Sequence, residues 1–521
     1  VGKLQIEIYK TRVFMKWDSI VGSKNRGICY PTYKNNIQKV SMSKYMVKLL
    51  CIKPINILLI ILFSSPFVTK AQSVYTHVPD DQEALFFTSE LFNIKAEGKQ
   101  DVSDALQLAI NKLKKERNFG ILFIPEGKYL ISKTIYVPKA IRIIGYGQNR
   151  PEFILGKNTV GYQDKFNYMF WFTSNLVEEG LEPNDATAGT FYSAISNIDF
   201  RIEEGNTKAI ALRTHFAQHS FVSHCNFYTN EGYAGIYDLG NEIEDLKFFG
   251  GEYGISTGRT SPGWPMLMID LYFEGQRSAA VLSRNTGMSI VSMHVKNAPV
   301  AIELQDGISD RLFMEDCLFE NVKKGVVVGV ENKASNQINL LNIFCNHVDV
   351  PVYFSPSGTS ISGKGSKYII NNFEYGLVMD DMTDDSKYKM VADIAAADVV
   401  PIKLDRLIPN LPSMDTWVNV KDFGALGDGK TDDTQAIKEA IAKHKNVYLP
   451  TGWYRVTEPI KLREGTNLIG LHPFATQIII DESESNFSGF GAPVPIVESS
   501  EGGMILLMVL GFVRELTIIA Q

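Results

Sequence analysis

The sequence predicts an all-β chain wound into a parallel β-helix, with a second coil of the same kind opening near its end. Two observations carry this. Short apolar strands recur at steps of 21–27 residues through the middle of the chain, and one turn-and-helix signature occurs twice.

The clearer copy of the signature is Asp422–Ile441, DFGALGDGKTDDTQAIKEAI. Asp432 or Thr431 can cap the helix start, where free backbone N–H groups need an acceptor. Ala436, Ile437, Ala440 and Ile441 fall on one apolar face. NVYLPTGWYRVTEPIKL then alternates as a strand, turns at Thr451-Gly452 and alternates again. Laid without a gap on this copy, Leu91–Ile110 places Phe92 on Phe423, Gly98 on Gly429, Asp101 on Asp432, Ala105 on Ala436 and Ile110 on Ile441. Asp422, Asp428, Asp432 and Asp433 are expected to serve turn and cap chemistry rather than a metal.

At 521 residues two domains are the default, and a net charge of -6 without charged runs argues against nucleic acid and against a basic membrane patch. The five cysteines form no CxxC pair. Cys225, Cys317 and Cys345 lie inside apolar strands and are expected to be buried packing residues.

Residues 1–45 show no usable period and are expected to be upstream sequence outside the native protein. From Met46, MVKLLCIKPINILLIILFSSPFVTKAQS has the charged start, short apolar run and small residues of a secretory signal peptide over 46–72, cut near Ala71-Gln72. The alternative is a signal anchor. The first β-helix domain is expected over 85–400, a linker over 401–416 and the start of the second domain over 417–521.

The rungs of the first coil are marked by Phe200, Phe227, Phe248, Phe273, Val295, Phe319 and Cys345, at steps of 27, 21, 25, 22, 24 and 26. At one strand spacing per rung they make a rod roughly 30 Å long. Tyr368–Met414 breaks the rhythm and reads as the far end of the coil plus the linker. Its acidic loop, Asp380–Asp385, lacks the spacing of an EF-hand and is expected to be solvated. Near the end of the chain, Met504–Leu510 is so uniformly apolar that it reads as an altered frame, and the second coil is expected to be truncated at Gln521.

The paired signature resembles the N-terminal cap of right-handed parallel β-helix proteins of the pectate-lyase-like (pectin lyase) superfamily. Within it, His215–Ile255 is similar to a block of the exo-β-1,3-glucanases of glycoside hydrolase family 55, through Phe216-Ala217-Gln218, Gly235-Ile236, Gly240-Asn241 and Asp245–Gly254. The resemblance implies two tandem β-helices and hydrolysis of β-1,3-glucan with inversion, which takes a general acid and a positioned water. It implies no cofactor and no metal. The family's acid is a Glu of the second helix, expected beyond Gln521, so no catalytic acid is assigned and this stretch by itself need not be active. Gln218 matches a residue near the attacking water, and it can equally be an inward polar rung. A Ser of the family's turn falls near Asn241, a departure that puts the water relay in doubt.

Other candidates rest on residue type. Trp264 can be a sugar platform or a loop aromatic packed on the coil. Among Glu242, Glu244, Asp245, Glu252, Asp270 and Glu274, mostly expected to be solvated turn residues, Asp245 and Glu274 are the two to test first. His215, His219 and His224 are expected to be solvent-facing or hydrogen-bonded, since no third-ligand pattern supports zinc. The functional expectation is therefore a secreted, monomeric polysaccharide hydrolase acting on β-glucan. The alternatives are a pectate lyase or polygalacturonase-like enzyme, weakened by Asn285-Thr286-Gly287 and the lack of Gly-His-Gly, and a non-catalytic carbohydrate-binding β-helix.

Overall fold

The computed structural model describes residues 4–9, 12–17 and 73–515, except 179, 259–264, 334, 380, 384, 386, 482–483, 489–490 and 501–504. The segment 46–72, expected to be a signal peptide, most of 1–45, Cys29, Cys51, Trp264 and the residues beyond 515 lie outside the described residues. Leu4–Tyr9 and Arg12–Trp17 form an antiparallel hairpin that the sequence pattern did not reveal.

From Leu85 the chain coils as a right-handed parallel β-helix. Each long strand pairs in parallel with the strand one turn on: Phe221–Asn230 with Glu242–Gly250, that with Met266–Glu274, and that with Met288–Leu304. The rung marks are in register throughout: Phe200 faces Phe227, then Phe248, Phe273, Val295, Phe319 and Cys345 in turn. Burial drives this stacking. The rings of Phe227, Phe248 and Phe273 lie 4.8 and 4.6 Å apart and nearly parallel, all fully buried. Cys225, Cys317 and Cys345 are free and buried in the same coil, as expected.

One corner recurs in each rung and is turned through a left-handed residue. Asn197, His224, Asp245, Asp270, Ser292, Asp316 and Asn342 all have φ between 51° and 60° and fall at the same steps as the core marks. Asn, Asp and His are the non-glycine residues that tolerate this region best. The coil ends where Lys367–Val378 pairs antiparallel with its last long strand, Gln337–Phe354, and Lys387–Ala396 pairs antiparallel with Lys367–Val378 in turn.

Both signatures fold alike. Helix α1 (Ser103–Arg117) and helix α2 (Thr434–Lys443) begin at aligned positions. Asp101 accepts from Ser103 N at 2.9 Å, and Asp432 from Thr434 N at 3.0 Å. Asp428 accepts from Lys430 N and Thr431 N, and Asp433 reaches back to Leu426 N and Gly427 N. Three of the four signature carboxylates are thus occupied with turn and cap amides.

Strands after Trp417 pair with each other and enclose their own core of Ile437, Tyr454, Ile478 and Ile505. A further apolar cluster lies between the two stacks, with Ile121, Phe123 and Ile144 from one and Tyr448, Leu471 and Met508 from the other. This explains the uniform apolar run near the end. Ile505 and Leu507 point into the second core while Leu506 and Met508 point into the seam, so both faces of Ile505–Met508 are buried. A strand with two buried faces needs no altered frame to account for it.

Candidate functional site

Two parts of the block that resembles the glucanases, Phe216-Ala217-Gln218 and Gly240-Asn241, meet at one corner of the coil, beside the seam. After strand Ala209–Arg213 the chain loops out over 214–220 before Phe221. On the next rung it returns through Gly240-Asn241. A Cβ on Gly240 would lie 2.3 Å from Phe216 O and 2.4 Å from Thr214 O, so the two loops pack backbone to backbone only because that residue is glycine. Asn241 is buried with φ 53°, and its Nδ2 donates to Ser220 O at 2.8 Å. Gln218 is half-buried.

This corner is rich in buried polar atoms. Gln218 Oε1, Thr214 Oγ1 and His215 Nε2 are buried without a hydrogen-bond partner among the described residues. Leaving such an atom unsatisfied costs about 1–3 kcal/mol, so several on one loop mark a place where a ligand or ordered water completes the network. Glu242, expected to be solvated, is 1% exposed, and Glu244 is buried too. They flank Ile243, which faces the coil core, so both lie on the opposite face of a central strand paired on one side with Phe221–Ser223 and on the other with Leu267–Ile269.

The seam fixes the loop from outside. The guanidinium of Arg142, fully enclosed, donates to Tyr192 O (3.2 Å), His219 O (2.9 Å) and Leu471 O (3.0 Å), tying three segments together. His219 is exposed and stacks on Tyr192 at 5.2 Å, and Tyr192 meets Phe474 at 5.5 Å. His472 is wholly buried there. Its Nε2 donates to Ala140 O at 3.0 Å, and its Nδ1 accepts from Phe474 N and Ala475 N, both at 3.2 Å. Burial, followed by the charge of Arg142, pulls its pKa down to about 3.

A second cluster lies at the end of the neighbouring strands, and the sequence did not point to it. Asp185 takes Arg213 bidentately, with Nε at 2.9 Å and Nη2 at 2.8 Å. Asp238 lies 3.2 Å from the same Nη2, and Arg213 Nη1 donates to Tyr168 OH at 2.6 Å. Trp171 Nε1 donates to Asp185 at 2.7 Å, and His215 Nδ1 is 3.4 Å away. Arg213 also lies against the rings of Tyr168, Trp171 and Tyr237, at 5.1, 5.0 and 5.5 Å. Burial raises the pKa of Asp185, but the hydrogen bonds from His215 and Arg213 outweigh it and hold the carboxyl below its ordinary range. Tyr168 and Trp171 line an open cleft of about 600 Å³ together with Tyr136, Tyr162 and Phe166. Asp185 sits in a long loop with no period to announce it. The available signal was a lone arginine ending the apolar strand AIALR.

The remaining candidates lie elsewhere. Asp245 stands at a left-handed corner and bonds His224 Nδ1 at 2.7 Å and Arg406 Nη2 at 3.0 Å. Burial opposes its charge, but His224 and Arg406 hold its carboxyl well below the usual range. Asp270 accepts from Leu407 N and Ile408 N, so both corner carboxylates fasten the segment that leads to the second stack. Glu274 is half-buried on the outer face and accepts from Tyr272 OH at 2.7 Å. His215 and His224 are buried and hydrogen-bonded on separate carboxylates, while His219 faces solvent, so the three do not converge. No group of three or more metal-ligating side chains occurs among the described residues.

The coil and its two cap helices place the chain among the parallel β-helix proteins. A family profile described as rhamnogalacturonase A/epimerase, pectate lyase-like, matches residues 89–326 and 417–491, more than half of the chain, and the chain belongs to this family. Among characterised proteins it is similar to the non-secreted LysM effector LysM19 of Penicillium expansum, 20% identical over 78% of this chain and 34% of the relative. It is also similar to a glucan 1,3-beta-glucosidase of Cochliobolus carbonum, 21% identical over 79% of this chain and 55% of the relative. The chain thus spans about a third to a half of the length of these relatives. Among solved structures, the catalytic unit of an alpha-1,3-glucanase from Streptomyces thermodiastaticus aligns over 85% of this chain and 70% of its own, at 9% identity and a TM-score of 0.36.

Proposed function

We propose that the protein is a secreted glycoside hydrolase that cleaves β-1,3-glucan with inversion, built as two tandem β-helices with the substrate held where they meet. The observation that carries this reading is the corner loop. The residues that resemble the glucanase block, Phe216-Ala217-Gln218 and Gly240-Asn241, pack against each other beside the seam, and polar atoms of Gln218, Thr214 and His215 stand there buried and unpaired. In this reading Gln218 orients the attacking water, Asn241 holds the loop, and the acid comes from the second helix. No described residue is assigned as that acid. Similarity to a protein named glucan 1,3-beta-glucosidase supports the substrate class.

The family's description favours a second reading, an enzyme acting on pectic polysaccharide. Incubating the protein with β-1,3-glucan and with polygalacturonate separates the two. Reducing ends released from the glucan, lost on Gln218→Ala, are the expected result. Release from polygalacturonate, or unsaturated uronates seen by ultraviolet absorbance, overturns it in favour of the pectic enzyme. If the protein tested carries the acid-bearing part of the second helix, binding of glucan without release overturns it in favour of a binding module. Export is proposed on the 46–72 segment, and N-terminal sequencing of protein recovered outside the cell should begin near Gln72.

A further inference from the structure

The aromatic cleft carries charges that the hydrolase reading does not use. Its lining includes Asp104, Lys133, Lys165 and Glu182, with Lys133 held by Asp104 at 2.7 Å. These balance. Tyr168 and Trp171, which line the cleft, are also the rings that Arg213 lies against, and Arg213 is the group there suited to grip a sugar carboxylate in two-point fashion. That capacity is already taken. Asp185 occupies Nε and Nη2, Asp238 shares Nη2, and Tyr168 OH takes Nη1. Asp238 is itself fixed, accepting from Gly258 N at 2.7 Å. Two carboxylates against one guanidinium leave the cluster with one negative charge in excess. The three groups do not line the cleft but adjoin it behind the Tyr168 and Trp171 rings, partly exposed, so a uronate reaching that edge of the cleft meets the charge where water screens poorly. A neutral pyranose meets aromatic faces and loses nothing.

We propose that the cleft is selective for an uncharged glycan, and that Asp185 and Asp238 set this selectivity by saturating Arg213. The inference rests on the polysaccharide reading for the kind of ligand, and it adds which polysaccharides are refused.

The test is calorimetric binding at pH 8 and low salt, using the full chain, a β-1,3-linked glucose hexasaccharide and an oligogalacturonate of equal length. The wild-type protein should bind the oligogalacturonate at least about tenfold more weakly than the glucan. The double variant Asp185→Asn with Asp238→Asn frees Arg213 and should bind the oligogalacturonate at least about tenfold more tightly than wild type, with the gain falling as salt is added. Adding Arg213→Gln should abolish the gain. If the double variant does not fold, Asp185→Asn alone is read in the same way, with a smaller gain. Wild-type protein that binds the uronate as tightly as the glucan overturns the proposal, as does a folded variant that gains nothing. If the glucan does not bind but the variant gains the uronate, the β-1,3-glucan reading fails and the charge filter stands.

Discussion

Asn241 shows how one side chain can be structural and still shape a site. It combines a left-handed backbone with a buried bond to Ser220 O. Asn241→Ala loses both and should cost about 2–4 kcal/mol in chemical denaturation. Asn241→Gly keeps the backbone freedom and should cost clearly less. His472 makes a second prediction. Its neutral tautomer is locked, because Nδ1 already faces two amide N–H groups and has no acceptor for an added proton. The folded pKa lies below that of a free imidazole, so the stability it contributes is complete above about pH 6.5 and declines as pH falls toward the folded value of about 3. The wild-type protein should therefore lose about 3 kcal/mol between pH 6.5 and 4 from this group, and His472→Gln should flatten that stretch of the stability profile. Sequence reasoning could not foresee this, because burial of His472 depends on a contact with Ala140, far away in the chain.

The rungs were the most legible element. One apolar triplet per turn was enough to place Phe200, Phe227, Phe248 and Phe273 in register, because inward positions of a β-helix must repeat to stack. The cap helices were legible for a related reason, since Asp101 and Asp432 each serve the first amide of a helix. The corners were not. Their left-handed residues vary among Asn, His, Asp and Ser, so Asp245 and Asp270 read as candidate carboxylates when their backbone angles already account for the residue type. The aromatic cleft was missed because Asp185, Arg213 and Asp238 come from a loop and two successive rungs. Stacking makes the elements sensitive to volume in both directions. Phe248→Ala should cost about 3–5 kcal/mol. Gly254→Ala, whose Cβ would lie 2.4 Å from the ring of Phe273, should disrupt the same ladder from outside and lower the thermal midpoint.

At the scale of the molecule, the seam joins the two stacks through an apolar cluster and a few enclosed polar ties, including Arg142 to Leu471 O and Asp81 to Thr451. The loop bearing Gln218 is held by the same Arg142, so docking of the second stack and shape of the candidate site are coupled. The stereochemistry of the reaction tests the central claim most directly. β-1,3-glucan should be hydrolysed in an NMR tube and the first anomer released should be read before it mutarotates. The account predicts the α anomer first, because inversion at a β linkage leaves the new hydroxyl on the opposite face. Release of the β anomer first would contradict it, since that outcome requires a covalent intermediate on a carboxylate where the account places a water held by Gln218.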